Sequence, residues 1–467
     1  MRKLLLGSTA VAAAALMTPQ GAKAQGADPF LPAGPPMVSH RALEVRVGGY
    51  FRFNYSYTDE GQNQNNTDSR PGAATVSGPF TTTSTGVNAG TNGANQTTVT
   101  NSPAVQTARR GKSDLASDAE IHIVANGKAT NGLRYGVAME LEVDYNNANY
   151  STSSGTRAAK TAIDTDEMWM YIAGDFGQFR FGDEDNVINL MSVGHVANFG
   201  TGGMDGDQND TITTNSRFAT TWTSDTGDNT KIIYMSPQFF GFDFGGSFAF
   251  NTGEGEDTGC NLGYVTSECD SANAFTGSSP RRRNEVAAIV RWRGSFGGVG
   301  LQAAGGLWHS DVTKVLGVTS TRGIGLGKEM NVGYAAAQAT AYGFTVGGEY
   351  YWGSTNATFN PLVRSDISQQ NLKNFFGGIS YTIGPVTVGA NYARQLSAGS
   401  QSVAAVRQEG GWAIGATYVL APGLSLVADF VDQSRKERGF NFSTASAGAS
   451  NNRADVRSVL IGTRIAF

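Results

Sequence analysis

Two groups of acidic residues flank a glycine-rich segment between Gly182 and Asp210. The first group directly follows the strand-like sequence FRF and the second closes the segment: Asp183, Glu184, Asp185, Asp205, Asp207 and Asp210. Carboxylates at this density attract cations, either by binding an ion or by setting up a field that acts on passing ions. The segment does not alternate like a strand, and its glycines disfavour a long helix, so it is predicted to be a loop.

Calcium binding is the first chemistry that this loop suggests. Asp205, Asp207 and Asn209 have the i, i+2, i+4 oxygen spacing with which an EF-hand begins. However, Asp210 stands where an EF-hand has glycine, and Ser216 stands where it has a bidentate glutamate. The sequence therefore excludes an EF-hand and leaves only a weak Ca²⁺ candidate at the first three residues.

Catalytic constellations are missing from the sequence, which has no nucleophile elbow, phosphate-binding loop or metalloprotease motif. A zinc site needs clustered ligands, and none is visible around the four scattered histidines. These histidines are His40, His122, His195 and His309. The sequence thus predicts no enzyme and, apart from the weak Ca²⁺ candidate, no resident metal or cofactor.

The N-terminus has the form of a bacterial secretory signal peptide. Arg2 and Lys3 precede a short apolar stretch, and Ala22-Lys23-Ala24 is a cleavage site, so residues 1–24 are predicted to be removed. Residues 25–42 are proline-rich and are predicted to be a periplasmic tail without a domain of its own. Removal of three cations and no acids changes the formal charge from −4 to −7, which argues against nucleic acid as a partner.

The two cysteines, Cys260 and Cys269, lie close together in one polar segment, and export would bring them into an oxidising compartment. An oxidising compartment favours a local disulfide between them over two free thiols. One short bridge does not hold a chain of 467 residues together, so the fold must rest on its strands.

Most of the chain alternates with a period of two. Residues 43–57 place one continuous apolar and aromatic stripe on a single face: Leu43, Val45, Val47, Phe51, Phe53, Tyr55 and Tyr57. The stripe recurs in later segments, short links alternate with long polar ones, and no stretch is long and apolar enough to be a membrane-spanning helix. This pattern is typical of an all-β, transmembrane antiparallel β-barrel with short periplasmic turns and long extracellular loops, which covers residues 43–467.

About sixteen strands are predicted, an even number as closure of a bacterial single-chain barrel requires. They span residues 43–57, 114–126, 132–146, 163–174, 177–183, 230–236, 240–252, 284–294, 298–308, 331–341, 343–353, 374–383, 385–394, 411–420, 423–432 and 454–467. Residues 214–222 are a further candidate strand, so eighteen strands stay an alternative. Either count leaves a water-filled lumen.

Three stretches resemble the general (diffusion) porins of Gram-negative bacteria, in their alphaproteobacterial form. They are GDFGQFRFG at 174–182, NTKIIYMSPQFFGFDFGGSFAF at 229–250, and the final strand VRSVLIGTRIAF, which ends at Phe467. The resemblance implies a homotrimer in the outer membrane that lets ions and small hydrophilic solutes diffuse passively, without catalysis. It also implies that Phe467 ends an assembly signal for the barrel assembly machinery.

The strand count makes residues 183–229 the third long loop, and the resemblance implies that this loop folds into the barrel and narrows the pore. Its six acids would then face the lumen. Opposite them, the inward strand faces supply basic residues of the pore wall: Arg46, Arg52, Arg134, Arg180, Arg291, Arg293 and Arg464. Facing acids and arginines would set ion selectivity, and the acidic mature chain predicts a weak preference for cations.

Three further possibilities concern partners and function. Arg281, Arg282 and Arg283 end a long loop, either as a solvated loop end or as a contact with lipopolysaccharide phosphates that could also steer anions. A substrate-selective channel for sugars or anions is the first alternative function. A surface adhesin that uses the long first loop is the second.

Overall fold

The structure is a computed structural model. It describes residues 43–60, 66–68, 106–108, 111–142, 164–213, 216–218, 227, 229–251, 282–312, 327–362, 370–400 and 403–467. The predicted leader (1–24), the predicted tail (25–42), Cys260, Cys269 and Arg281 lie outside these residues.

Sixteen strands of the described residues form one closed antiparallel barrel. In chain order they are β1 (Glu44–Glu60), β2 (Ser113–Lys128), β3 (Arg134–Glu142), β4 (Asp164–Gly174), β5 (Gly177–Glu184), β6 (Asn229–Met235), β7 (Phe242–Asn251), β8 (Arg282–Phe296), β9 (Val299–Val312), β10 (Met330–Ala341), β11 (Phe344–Gly353), β12 (Leu372–Ile383), β13 (Val386–Ser397), β14 (Arg407–Ala421), β15 (Leu424–Lys436) and β16 (Arg453–Ala466). Each corresponds to a predicted strand. The eighteen-strand alternative is wrong, because residues 216–218 form a turn and the barrel closes without them.

Closure joins the first strand to the last. Strands β1 and β16 pair continuously from Tyr50 opposite Ala466 to Glu60 opposite Val456. One residue beyond the end of β16, Phe467 continues this pairing: Gly49 N of β1 donates to Phe467 O at 3.0 Å, and Phe467 N donates to Gly49 O at 3.1 Å. The ladder therefore leaves no free strand edge in the wall, which matters because hydrocarbon offers no partner for a backbone N–H or C=O group.

The alternation in the sequence determines which side of the wall each residue faces. The apolar stripe of β1 is exposed on the outer surface along its whole length, whereas Tyr50, Asn54 and Ser56 between its members are buried inside. Exposed apolar residues continue around the barrel, and they include the predicted outward face of the final strand: Val459, Ile461, Ile465 and Phe467. This outer band matches the lipid-facing surface of a membrane barrel.

The connections differ at the two ends of the barrel, as predicted. Seven tight turns join strand pairs at one end, such as Tyr342-Gly343 between β10 and β11. Both of these residues have positive φ, +51° and +85°, which matches the two-residue hairpin turn that twisted strands favour. The other end carries the long loops, among them the segment between β5 and β6.

Short elements lie within the loops. The loop between β5 and β6 contains a one-turn helix α1 (Val187–Leu190) and two 3₁₀ turns, Gly203–Asp205 and Asp207–Asp210. A third 3₁₀ turn spans Ala357–Phe359, and two small hairpins pair Asn66–Asp68 with Gln106–Ala108 and Phe440–Asn441 with Ser446–Ala447. Within the described part of the chain, no helix has the length and apolar character needed to cross a membrane.

A charge in the middle of the outer band should destabilise the barrel. Ile414 lies at the centre of β14 and faces outward, whereas Leu420 faces outward near the short-turn end. We expect Ile414→Arg to lower the free energy of unfolding in lipid vesicles by about 2–4 kcal/mol, and Leu420→Arg by only about 0–1 kcal/mol, because the cost of an arginine depends on its depth in the bilayer. Urea titrations of the folded barrel measure both values. Equal losses would contradict this placement of the apolar band.

Candidate functional site

The loop of residues 185–228, called loop 3 below, runs along the inner wall of the barrel in its described part. Its helix α1 packs against β6, β7 and β8, and its Ile188 shares a buried apolar cluster with Trp308 of β9. The chain then passes β10, where Val193 N donates to the Tyr334 hydroxyl at 3.1 Å and that hydroxyl donates back to Val193 O at 2.9 Å. Further on, its first 3₁₀ turn contacts β13, β14 and β15. Loop 3 therefore follows the wall around the lumen and does not project into the external medium.

Glycines of the inner wall make room for loop 3. A side-chain Cβ at any of six strand positions would meet loop atoms or stand within van der Waals distance of them: Gly245, Gly306, Gly347, Gly378, Gly389 and Gly415. At Gly245 the Cβ would meet the side chains of Val187 and Met191, and at Gly389 it would meet the ring of Phe199. Because these glycines occur on successive stretches of wall, from β7 to β14, they form a groove that fits the loop. The groove explains part of the high glycine content, 61 of 467 residues.

Side-chain hydrogen bonds hold the loop backbone along the same path. Asp429 on β15 accepts from both the N–H and the hydroxyl of Thr201, at 2.6 and 2.7 Å. Asn391 on β13 accepts from Met204 N at 3.0 Å and donates to Gly202 O at 3.0 Å. A loop without regular structure needs such partners, because unpaired buried backbone groups are costly.

His195 bridges loop and wall. Its Nδ1 lies 2.9 Å from Glu349 Oε1 on β11, its Nε2 lies 3.1 Å from Asp205 Oδ2, and its ring stacks on Phe376 at 4.1 Å. Burial alone would lower the pKa of His195, but the carboxylates of Glu349 and Asp205 outweigh it and raise this pKa to about 10. The imidazolium is therefore charged at neutral pH and clamps the loop between two carboxylates.

Asp207 meets the wall arginines on the far side of the lumen from α1. Its Oδ1 accepts from Arg52 Nη1 at 2.7 Å, and its Oδ2 accepts from Asn54 Nδ2 at 2.9 Å. Arg464 stands opposite Arg52 in the β1–β16 register and lies over the ring of Tyr50. Among the described contacts, two of the seven predicted wall arginines form an ion pair with a predicted acid. Arg180 pairs with Glu184 at the root of loop 3, and Arg52 pairs with Asp207 farther along the loop.

The first three predicted acids lie at the root of loop 3, two at the end of β5 and one in the first residue of the loop. Asp183, Glu184 and Asp185 are exposed by only 2, 1 and 2 %. Glu184 accepts from Arg180 Nη1 at 2.6 Å, and Asp185 accepts from the side chain of Asn189 just after the loop begins. The sequence predicted that these carboxylates face the lumen; in the structure Glu184 and Asp185 bond to neighbouring residues at the root of the loop, and all three are buried, as Asp207 is.

The remaining predicted wall arginines are spread around the barrel. Arg291 and Arg293 on β8 both bind Asp243, at 2.9 and 2.5 Å. Arg46 binds Glu44 at 2.5 Å near the start of β1, and Arg134 is exposed at the short-turn end. These arginines therefore lie apart from Arg52 and Arg464, the two arginines near Asp207.

Two residues of the weak calcium candidate, Asp205 and Asp207, have different partners in the protein. Asp205 contacts His195, whereas Asp207 contacts Arg52 and Asn54. Because each carboxylate already has a protein donor, this arrangement favours charge pairing with the protein over calcium. Asp210, the last of the predicted acids, is exposed.

The sequence did not reveal the anchoring role of His195, the glycine groove or the acceptors Asn391 and Asp429. A faint signal existed, because glycines interrupt several inward strand faces where side chains would otherwise alternate. Nothing in the local pattern indicated which loop residue each of them meets.

A side chain in the groove should release loop 3. We expect Gly389→Val to displace the Phe199 ring and to expose residues 185–228 to a protease added to the folded barrel, because the new side chain would overlap that ring. The matched control is Gly305→Val, at a strand glycine where a Cβ would meet only a carbonyl oxygen at 3.9 Å. Fragment masses locate the cuts. Equal protection of both variants and the parent would contradict the groove.

The clamp at His195 should make barrel stability depend on pH in a defined window. A pKa raised from its usual value of about 6.5 to about 10 gives stabilisation that is complete below about pH 6.5 and lost as the pH rises to about 10. We expect the difference in free energy of unfolding between the parent and His195→Gln to shrink across this window in urea titrations. A difference that stays constant from about pH 6 to about pH 10.5 would contradict a charged His195.

Comparison with known proteins identifies the fold family. A family profile described as Gram-negative porin matches residues 8–450. No curated protein sequence matches the chain significantly. Among solved structures, the chain is similar to an anion-selective porin from Comamonas acidovorans, at 14 % identity with a TM-score of 0.49, and to a mutant of the Rh. blastica porin, at 12 % identity with a TM-score of 0.46. Each alignment covers 91 % of this chain and 100 % of the other.

The family profile extends over most of the chain, and its match agrees with what the described residues form, a closed barrel with a loop against its inner wall. Proteins of this kind carry no catalytic centre, and they pass small solutes through the outer membrane. The chain therefore belongs to the Gram-negative porin family and forms an outer-membrane channel for passive diffusion.

Proposed function

We propose that the ion selectivity of this channel is set where loop 3 meets the wall formed by β1 and β16. The observation that carries this proposal is the ion pair between Asp207 and Arg52 across the loop–wall contact. Arg464 adds a second guanidinium beside it, and Asp118 also binds Arg52 from β2. Opposite charges face each other there, and a passing ion experiences a field across the pore.

The balance of charge favours cations weakly. The Arg52 and Arg464 pair is matched by the carboxylates of Asp118 and Asp207. Elsewhere on the lumen side, His195 is one cation between two carboxylates, Asp205 and Glu349. Taken together, these two groups contain three cations and four carboxylates, so acids exceed bases by one, in agreement with the acidic composition of the chain.

Assembly in the membrane forms the second part of the proposal. Porins are outer-membrane proteins that are often trimeric, and we infer that this chain is exported by a cleaved leader, residues 1–24, and assembles as a homotrimer. The barrel assembly machinery would recognise the last strand, whose outward apolar side chains end at Phe467. A disulfide between Cys260 and Cys269 fits the oxidising compartment that export implies.

Lipopolysaccharide is the expected partner at the long-loop end, but through other residues than Arg282. That side chain turns inward, 3.2 Å from Glu285 and over the ring of Trp308. Lys373, Arg394 and Lys436 are instead exposed on the outward face at this end of β12, β13 and β15. Such cations suit the phosphate groups of the outer leaflet.

Neutralising the loop acid tests the selectivity proposal. A unit charge about 10 Å from an ion in water changes its energy by about 0.4 kcal/mol, or roughly twofold in local concentration for each sign of ion. We expect Asp207→Asn to lower the cation-to-anion permeability ratio by roughly two- to fourfold, measured as the reversal potential of planar bilayers in a salt gradient. Steps in conductance that come in threes would report the trimer.

Asp175→Asn is the matched control, because Asp175 is an exposed acid in the short turn between β4 and β5, remote from loop 3 along the wall. This variant should keep the parent's selectivity. If Asp207→Asn also keeps it, or if the parent prefers anions strongly, the selectivity does not arise at the Asp207–Arg52 pair.

A further inference from the structure

Three potential metal ligands meet on the inner wall beside the Arg52 pair. Glu120 and His122 alternate on β2, and the β2–β3 register places His122 opposite Glu140. All three side chains therefore lie on the same, inward face of two neighbouring strands. Their ligand atoms, one from each residue, all lie within 4.8 Å of one another.

One carboxylate oxygen of this group, Oε2 of Glu140, has no hydrogen-bond partner. Glu140 is only 2 % exposed. Glu140 interacts with a second carboxylate, that of Glu120. The acids Asp166 and Glu184 add further negative charge nearby. A buried carboxylate surrounded by acids is costly unless a cation or a proton offsets its charge.

We propose that Glu120, His122 and Glu140 bind a divalent transition-metal ion of the zinc class. An imidazole nitrogen together with carboxylate oxygens is a ligand set that suits Zn²⁺, whereas Ca²⁺ and Mg²⁺ prefer oxygen alone. Three protein ligands leave a fourth position open toward the lumen for water or a permeating anion.

The positions of the ligand atoms need only small adjustments to hold such an ion. His122 Nε2 and Glu120 Oε1 now lie 2.6 Å apart. Two ligands at ordinary zinc distances of about 2.0–2.2 Å stand roughly 3.4 Å apart in a tetrahedral site, so these atoms must separate by less than about 1 Å. The three ligand atoms all lie within 4.8 Å of one another, so any pair that is farther apart than about 3.4 Å must approach by at most about 1.4 Å.

A second set of contacts orients the site. The Tyr50 hydroxyl donates to Glu120 Oε2 at 2.9 Å and accepts from Arg52 Nη2 at 3.0 Å. Such outer contacts fix the direction of a metal-binding carboxylate. Tyr50 is therefore a positioning residue, and it links the site to the arginine that binds loop 3.

The site can be reached from the pore. The His122 side chain is 23 % exposed, on the face of β2 that points into the barrel. An ion in the lumen can thus reach the imidazole without opening the wall. A bound divalent ion would offset two carboxylates close to Arg52 and reduce the negative charge of this part of the pore.

Zinc binding to the folded, full barrel in detergent tests this inference directly. Isothermal titration with Zn²⁺ should give one site per chain that Ca²⁺ does not compete for. We expect His122→Gln and Glu140→Gln each to weaken this binding at least about tenfold, and Tyr50→Phe to weaken it by about tenfold through lost positioning. Co²⁺ added in place of Zn²⁺ should give a visible absorption band that the first two variants lose.

His309→Gln is the matched control, since His309 is an exposed histidine near the end of β9 whose ring bonds to Asn331 and Asp311 on the surface. It should bind Zn²⁺ like the parent. Unchanged affinity in His122→Gln or Glu140→Gln would overturn the inference, provided that both variants show the parent's far-ultraviolet circular dichroism. Binding is measured without conductance, so failure here leaves the selectivity proposal intact, and the reverse also holds.

Discussion

The requirement that every backbone N–H and C=O group in hydrocarbon find a partner controls this structure. A β-sheet meets it only when it has no edge, and the pairing of β1 with β16 removes the edge. The two hydrogen bonds between Gly49 and Phe467 continue the ladder to the last residue. Sixteen strands then enclose a space too wide for wall side chains to fill, so a lumen follows from closure.

That lumen creates the setting for loop 3. Polar backbone is tolerated at membrane depth where it lines a cavity, and loop 3 uses the cavity wall as its partner. Apolar side chains of α1 fill the groove left by wall glycines, while Asn391 and Asp429 bind the backbone farther along. Packing and hydrogen bonding act along one path, which brings Asp207 beside Arg52 and continues to Thr213, whose N–H and hydroxyl donate to Glu60 on β1.

Charged residues inside the barrel have two roles. Pairs such as Arg180 with Glu184 and His195 with Glu349 attach segments to the wall and are largely buried. The Arg52 region differs, because it contains two arginines, loop and wall carboxylates, and the neighbouring Glu120, His122 and Glu140. One part of the lumen wall thus combines the proposed selectivity element and the proposed metal site, and Tyr50 connects them through hydrogen bonds.

The sequence by itself determined the barrel, the order of sixteen of its strands, the lipid-facing residues and the position of loop 3 along the chain, while the structure excluded the alternative of eighteen strands. All of these depend on a period of two and on turn residues, which are local properties. It also predicted the seven arginines on inward faces. Glycines on those faces were visible, but their purpose was not.

Only the tertiary structure decided which charges meet. Asp183, Glu184 and Asp185 look equivalent to Asp207 in the sequence, and all four are buried, but the first three lie at the root of the loop whereas Asp207 reaches Arg52, 155 residues away in the chain. The Glu120, His122 and Glu140 cluster was missed for the same reason. Its members come together through the register of two strands and the burial of one carboxylate, and neither property is encoded in local spacing.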